Sequence, residues 1–192
     1  KKIMIVFGTR PEAIKMAPLI KLLETEKNIN SLVCVTAQHR KMLDQVLDLF
    51  KIIPNIDLNL MKPNQDLFDI TSDVMINLRD VYRKEKPDLV LLHGDTTTTM
   101  SAAIAAFYEG IKIGHVEAGL RTYNLKSPFP EEFNRQVLGR LSNIHFSPTK
   151  LSKNNLLKEG VNEDDIIVTG NTVIDSLFLA LSFIDKDKNR LS

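Results

Sequence analysis

Cysteine occurs once, at Cys34, so the chain has no internal disulfide framework and no cysteine-built metal cluster. A lone thiol fits a reducing compartment, and the expected location is the cytoplasm. Neither sign of charge dominates: 25 Lys and Arg stand against 24 Asp and Glu, a net charge of +1. Without a basic excess, neither nucleic acid nor an anionic membrane surface is an expected partner. No apolar run approaches roughly 18 residues, so nothing reads as a membrane span. Lys1 and Lys2 followed by Ile3-Met4-Ile5-Val6-Phe7 imitate a signal peptide, but Gly8 cuts the apolar run short. The missing initiator Met reads as a trimmed start. Repeats and low-complexity segments are absent too.

Other absences narrow the chemistry. Gly8-Thr9-Arg10-Pro11 holds one glycine where the dinucleotide fingerprint needs three, so no nicotinamide or flavin cofactor is expected. No G-x-S-x-G elbow occurs, which disfavours Ser-His-Asp hydrolysis. His93 and His115 emerge from strand interiors without the helical or hairpin spacing of zinc ligands, so no metal is expected either.

What is present is an alternation of strands and helices. The 192 residues are 43% hydrophobic and 26% charged, ordinary for a globular domain. Asp88-Leu89-Val90-Leu91-Leu92 is apolar on consecutive residues rather than alternate ones, the mark of a strand covered on both faces. Ala-rich helix follows it over 100–107. Further strands are expected at 3–7, 31–37, 56–58, 111–116, 144–147 and 166–168. Helices are expected from the Thr9 turn through Leu23, with a kink at Pro18, and then over 42–50, 67–85, 131–141, 150–158 and 173–183. The pattern predicts a doubly wound, Rossmann-like α/β parallel sheet. The apolar helix after Gly170 has little sheet left to pack on and reads as a connector to something absent. The expected division is a domain over 1–170 and a connector over 171–192.

Open sheets of this kind bind ligands at the carboxyl ends of their strands. Those ends and the turns after them collect Arg10, Lys15, His93, Asp95, His115, Glu117 and Arg121, with Glu131 opening a helix after a Pro-rich turn. Each has a plainer explanation alone. Asp95 or a neighbouring threonine caps a helix, Glu12 closes a capping box with Thr9, Lys15 is a solvated lysine, and His115 is a core histidine. Together they outnumber what capping needs. Arg10 beside a helix N-terminus supplies backbone N–H groups, the positive dipole end and a guanidinium, a geometry suited to phosphate.

Six segments then occur in order: Gly8-Thr9-Arg10-Pro11-Glu12-Ala13-Ile14-Lys15-Met16-Ala17-Pro18, Thr36-Ala37-Gln38-His39-Arg40, His93-Gly94-Asp95-Thr96-Thr97, His115-Val116-Glu117-Ala118-Gly119-Leu120-Arg121-Thr122, Pro128-Phe129-Pro130-Glu131-Glu132-Phe133-Asn134-Arg135 and Val168-Thr169-Gly170-Asn171-Thr172. Across residues 2–180 the chain closely resembles the non-hydrolysing UDP-N-acetylglucosamine 2-epimerases of bacteria.

The resemblance implies the N-terminal domain of a glycosyltransferase-B-like two-domain fold. The second domain, carrying most of the nucleotide and a catalytic histidine, would lie beyond the connector. It implies interconversion of UDP-N-acetylglucosamine and UDP-N-acetylmannosamine by elimination of UDP to 2-acetamidoglucal and re-addition, and an isolated half without activity. It casts Asp95, Glu117 and Glu131 as catalytic, and Arg10, Lys15, His93, Arg121 and Arg135 as substrate-binding. Gln38, His39 and Lys41 mark a possible allosteric site, though Lys41 and Asn64 replace a glutamine and an arginine of the pattern. It further implies a UDP-sugar substrate, no cofactor, a homodimer through this half, and a product used for surface polysaccharide. A glycosyltransferase of the same fold and a non-catalytic dimerisation or binding module are the competing readings.

Overall fold

A computed structural model describes every residue except Gln38, His39, Met61 and Ser192, with side chains described as far as Phe183 in the last helix. Seven strands run β1 (Lys2–Phe7), β2 (Asn30–Val35), β3 (Ile56–Asp57), β4 (Leu89–His93), β5 (Lys112–Val116), β6 (Ile144–Ser147) and β7 (Ile166–Val168). Between them lie α1 (Arg10–Thr25), α2 (Arg40–Leu49), α3 (Leu67–Glu85), α4 (Thr97–Tyr108), α5 (Glu131–Leu141) and α6 (Lys150–Lys158), and α7 (Val173–Leu191) ends the chain. The strands form one sheet in the order β3-β2-β1-β4-β5-β6-β7. Every pairing is parallel.

Alternate residues of one strand serve two cores. Ile5 and Phe7 face Ala13, Met16, Ile20, Leu43 and Val46 of α1 and α2. Met4 and Val6 face Val74, Leu78 and Tyr82 of α3 and the alanines of α4. That double burial is why the strands read as unbroken apolar runs. α4 is buried on nearly every side, and Ala102, Ala103, Ala105 and Ala106 keep it slim enough to fit between α3, α5 and the sheet. Among the described residues, no helix is long and apolar enough to cross a membrane.

Two segments differ from expectation. α1 runs through Pro18 as one helix to Thr25, beyond the expected end at Leu23. α7 continues to Leu191 rather than ending near 183. It packs on α1 more than on the sheet, setting Leu179, Ala180 and Phe183 against the first core and leaving Ile174, Leu177, Phe178 and Leu181 exposed. A short 3-10 turn over Glu163–Asp165 was not foreseen.

Candidate active site

Strand order reverses between β1 and β4, and the turns that leave these two strands bound the crevice where such a sheet binds ligands. Glu12 ties the turns together. One carboxylate oxygen accepts the Gly8 and Thr9 N–H groups at 2.9 and 2.8 Å and the Thr9 hydroxyl at 2.9 Å. The other accepts the hydroxyls of Thr96 and Thr99 at 2.6 and 2.8 Å. Capping of α4 falls to Thr96, whose hydroxyl accepts the Thr99 N–H at 3.1 Å. Asp95 is thereby spared for other work.

Asp95 is held from three sides. Arg135 donates to its Oδ2 through Nε at 2.8 Å and Nη2 at 2.7 Å. Asn134 donates to its main-chain carbonyl at 2.8 Å. His115 donates from Nε2 to the Gly94 carbonyl at 2.7 Å, which sets the tautomer. His115 is a neutral core histidine: burial pushes its pKa down to about 3, against the hydrogen bond to Gly94. Burial raises the Asp95 pKa, Arg135 opposes the rise, and the charges of Glu131 and Glu117 add to it. Glu117 and Glu131 thus both act on Asp95, one from the end of β5 and one from the start of α5.

Glu117 lies in the left-handed backbone region at φ +67°, which a residue with a Cβ holds at a cost of about 1 kcal/mol or more. Its Oε2 receives Lys15 Nζ at 2.5 Å, His93 Nε2 at 3.3 Å and Asn171 Nδ2 at 3.3 Å. Burial works to raise its pKa, but the hydrogen bonds and charges of His93 and Lys15 win and bring it to about 2. Lys15 is therefore no solvated lysine. The site holds one carboxylate fixed as an anion beside a lysine, and another biased towards keeping a proton beside an arginine.

Other expected residues fall elsewhere. The Arg121 side chain is fully buried and turned away, bonded twice to Glu159 at 2.8 Å and once to the Leu120 carbonyl at 2.8 Å. It packs beneath Gly139, where a Cβ would come within 2.6 Å of its Nη2. In this structure the side chain anchors the 117–121 turn to Glu159 at the end of α6. Arg10 is exposed at the first residue of α1 and lines a groove of about 360 Å³ with Gln45, Phe50, Val173 and Ser176. Among the described residues no carboxylate pairs with it, which leaves the guanidinium available to an anion. Lys41 is exposed on α2, while Gln38 and His39 lie outside the described residues. Among the described residues, no three His, Cys, Asp or Glu side chains are placed to hold a metal.

Several contributors escaped sequence reasoning. Glu132, fully buried, accepts the Thr122 and Tyr123 N–H groups at 2.9 and 3.0 Å and meets Arg135 at 3.3 Å. Asn134 and Asn171 were visible inside their motifs, but nothing local marks an amide as a partner of Asp95 or Glu117.

The sequence matches the family model for UDP-N-acetylglucosamine 2-epimerase over residues 21–191. It is 59% identical over 188 residues to the UDP-N-acetylglucosamine 2-epimerase of Campylobacter jejuni, covering 98% of this chain and 49% of that protein. The crystal structure of UDP-GlcNAc 2-epimerase from Neisseria meningitidis bound to UDP-GlcNAc superposes with a TM-score of 0.93 at 59% identity, covering 96% of this chain and 50% of that one. A lipopolysaccharide outer core galactosyltransferase shares the fold alone, at 15% identity and a TM-score of 0.59. The fold is thus the Rossmann-like domain of the glycosyltransferase-B type, and the chain spans about half the length of the relatives it matches. With that coverage, the chain belongs to the UDP-N-acetylglucosamine 2-epimerase family.

Proposed function

We propose that this chain is the N-terminal half of a non-hydrolysing UDP-N-acetylglucosamine 2-epimerase, with its domain over 1–170 and a connector over 171–192. It interconverts UDP-N-acetylglucosamine and UDP-N-acetylmannosamine together with a second, nucleotide-holding domain. The observation that supports this is the convergence of Lys15, His93 and Asn171 on Glu117 and of Arg135 on Asp95 at the carboxyl edge of the sheet, in a chain of this family.

The C2 hydrogen of the sugar is not beside a carbonyl, so simple deprotonation is very costly. Elimination avoids it: a base takes the C2 proton, a C1–C2 double bond forms, and the C1–O pair leaves with UDP. Re-addition reverses the electron flow, with a proton delivered to the other face of C2. A proton carrier needs a pKa near the working pH. Glu117, held near 2 as an anion, is poorly suited to that task. Asp95, with its raised pKa, suits it better, and Glu131 is the second candidate. Arg10 and the start of α1 offer charge for the departing diphosphate. Lys15 and Arg135 hold the two carboxylates in place.

The test uses the two-domain protein in deuterium oxide. Asp95→Asn and Glu131→Gln should each abolish exchange of the C2 hydrogen with solvent. Exchange at the unsubstituted rate in either variant removes that residue from the scheme.

The same half forms a homodimer in the cytoplasm, where the product feeds surface polysaccharide. In support, α3, α4 and the start of α5 enclose an apolar hollow of about 700 Å³ lined by Phe68, Met75, Met100, Phe129 and Phe133. Phe68 is 84% and Phe129 66% exposed, unusual for side chains of that size.

A further inference from the structure

Pro18 has no N–H, so the Ile14 carbonyl one turn back in α1 lacks its helical donor. That oxygen instead takes the Ser176 hydroxyl of α7 at 2.5 Å. Ser176 is 3% exposed, buried where the two helices meet. Its Oγ also lies 2.9 Å from the Thr172 carbonyl, but a hydroxyl has one hydrogen to give and the shorter contact takes it. Just ahead of α7, Asn171 folds into an Asx turn, its Oδ1 accepting the Val173 N–H at 3.0 Å. The Nδ2 of the same side chain reaches Glu117 Oε2 at 3.3 Å. Lys15, the residue after Ile14, meets that same oxygen. One contact from α7 therefore ends on the residue before Lys15, and one from the turn entering α7 ends on Glu117, so the two flank one ion pair.

We infer that Asn171 and Ser176 are positioning residues that latch α7 onto the Lys15–Glu117 pair, so that the seating of this helix sets the orientation of Glu117. The inference rests on the epimerase reading above. Glu117 occupies a strained backbone region, and donors on Oε2 from α1, β4 and the α7 entry are what hold its carboxylate there. A displacement of α7 by about 1 Å breaks both latch bonds. Misplacement on that scale costs up to about a hundredfold in rate.

Three variants of the two-domain protein separate a latch from simple support. Asn171→Ser keeps an oxygen for the Val173 N–H but is too short to reach Glu117. It should lower kcat about tenfold, with KM within about twofold and an unchanged thermal midpoint. Ser176→Ala should lose both stability and kcat. Pro18→Ala combined with Ser176→Ala gives the Ile14 carbonyl a helical donor again, so stability returns while kcat stays low. Apart from turnover, carboxyl NMR titration of Glu117, which is faced by Lys15, His93, Asp95 and Asn171, should move upward in Asn171→Ser. A titration curve that stays put, a kcat that does not fall, or a double variant that recovers kcat with stability overturns the inference. If the unsubstituted protein fails to interconvert the two UDP-sugars, the epimerase reading fails instead, and the titration still decides the latch.

Discussion

Glu117 and Asp95 are carboxylates at the ends of neighbouring strands, and their surroundings push them in opposite directions. Hydrogen bonds from His93 and Lys15 overcome burial at Glu117, whereas burial prevails over Arg135 at Asp95. For Glu117 the consequence has a definite sign. Its folded pKa of about 2 lies below the ordinary 4.5, so its stabilisation is fully present above 4.5 and fades as pH falls towards 2. Lys15→Met moves that pKa back up and flattens the loss. Urea unfolding of both proteins between pH 5 and 2.5 should show the gap between them closing with acid, by on the order of 3 kcal/mol at most. A gap that stays constant with pH refutes this account of the pair. None of the opposition was visible in the sequence, where both residues are simply acids after strands. The distinction depends on which cation comes from which distant helix: Lys15 from α1, Arg135 from α5.

At the scale of elements, Glu12 matters more than its capping role implies. The box with Thr9 was legible because its spacing is local. The second carboxylate oxygen, taking Thr96 and Thr99, was not legible, since those residues lie in another turn. Glu12 is 2% exposed, so removing it orphans several buried donors. Glu12→Ala should destabilise the domain by about 3 kcal/mol or more, read by urea unfolding, and a cost near 1 kcal/mol would mean only the cap was lost. The 117–121 turn shows the same division. Gly119, at φ +88°, has no space for a Cβ, which would fall 2.2 Å from the Ser152 carbonyl oxygen. Arg121 fastens that turn through Glu159, 38 residues on. An arginine after a strand reads as a ligand-binding residue until the fold shows that its guanidinium is occupied.

For the whole molecule, two surfaces leave large apolar side chains exposed. One is the apolar hollow of α3, α4 and α5, and the other is the outer face of α7. Phe68→Glu with Phe133→Glu should turn the proposed dimer into a monomer in sedimentation while leaving the far-ultraviolet circular dichroism unchanged. A dimer that survives both charges places the contact elsewhere.

The sequence by itself determined the class of fold and nearly all of its elements. Hydrophobic periodicity, turn residues and strand length are local properties, and doubly buried strands announce themselves as continuous apolar runs. It also placed the acids and bases at strand ends, because chain order and parallel topology together dictate which turns share an edge. Only the tertiary structure decided which charges neutralise one another, that Glu159 holds the Arg121 guanidinium, and that Asn171 and Ser176 tie the start of α7 to Glu117 and to α1. Those facts depend on side-chain distances between residues far apart in the chain, and no local pattern encodes them.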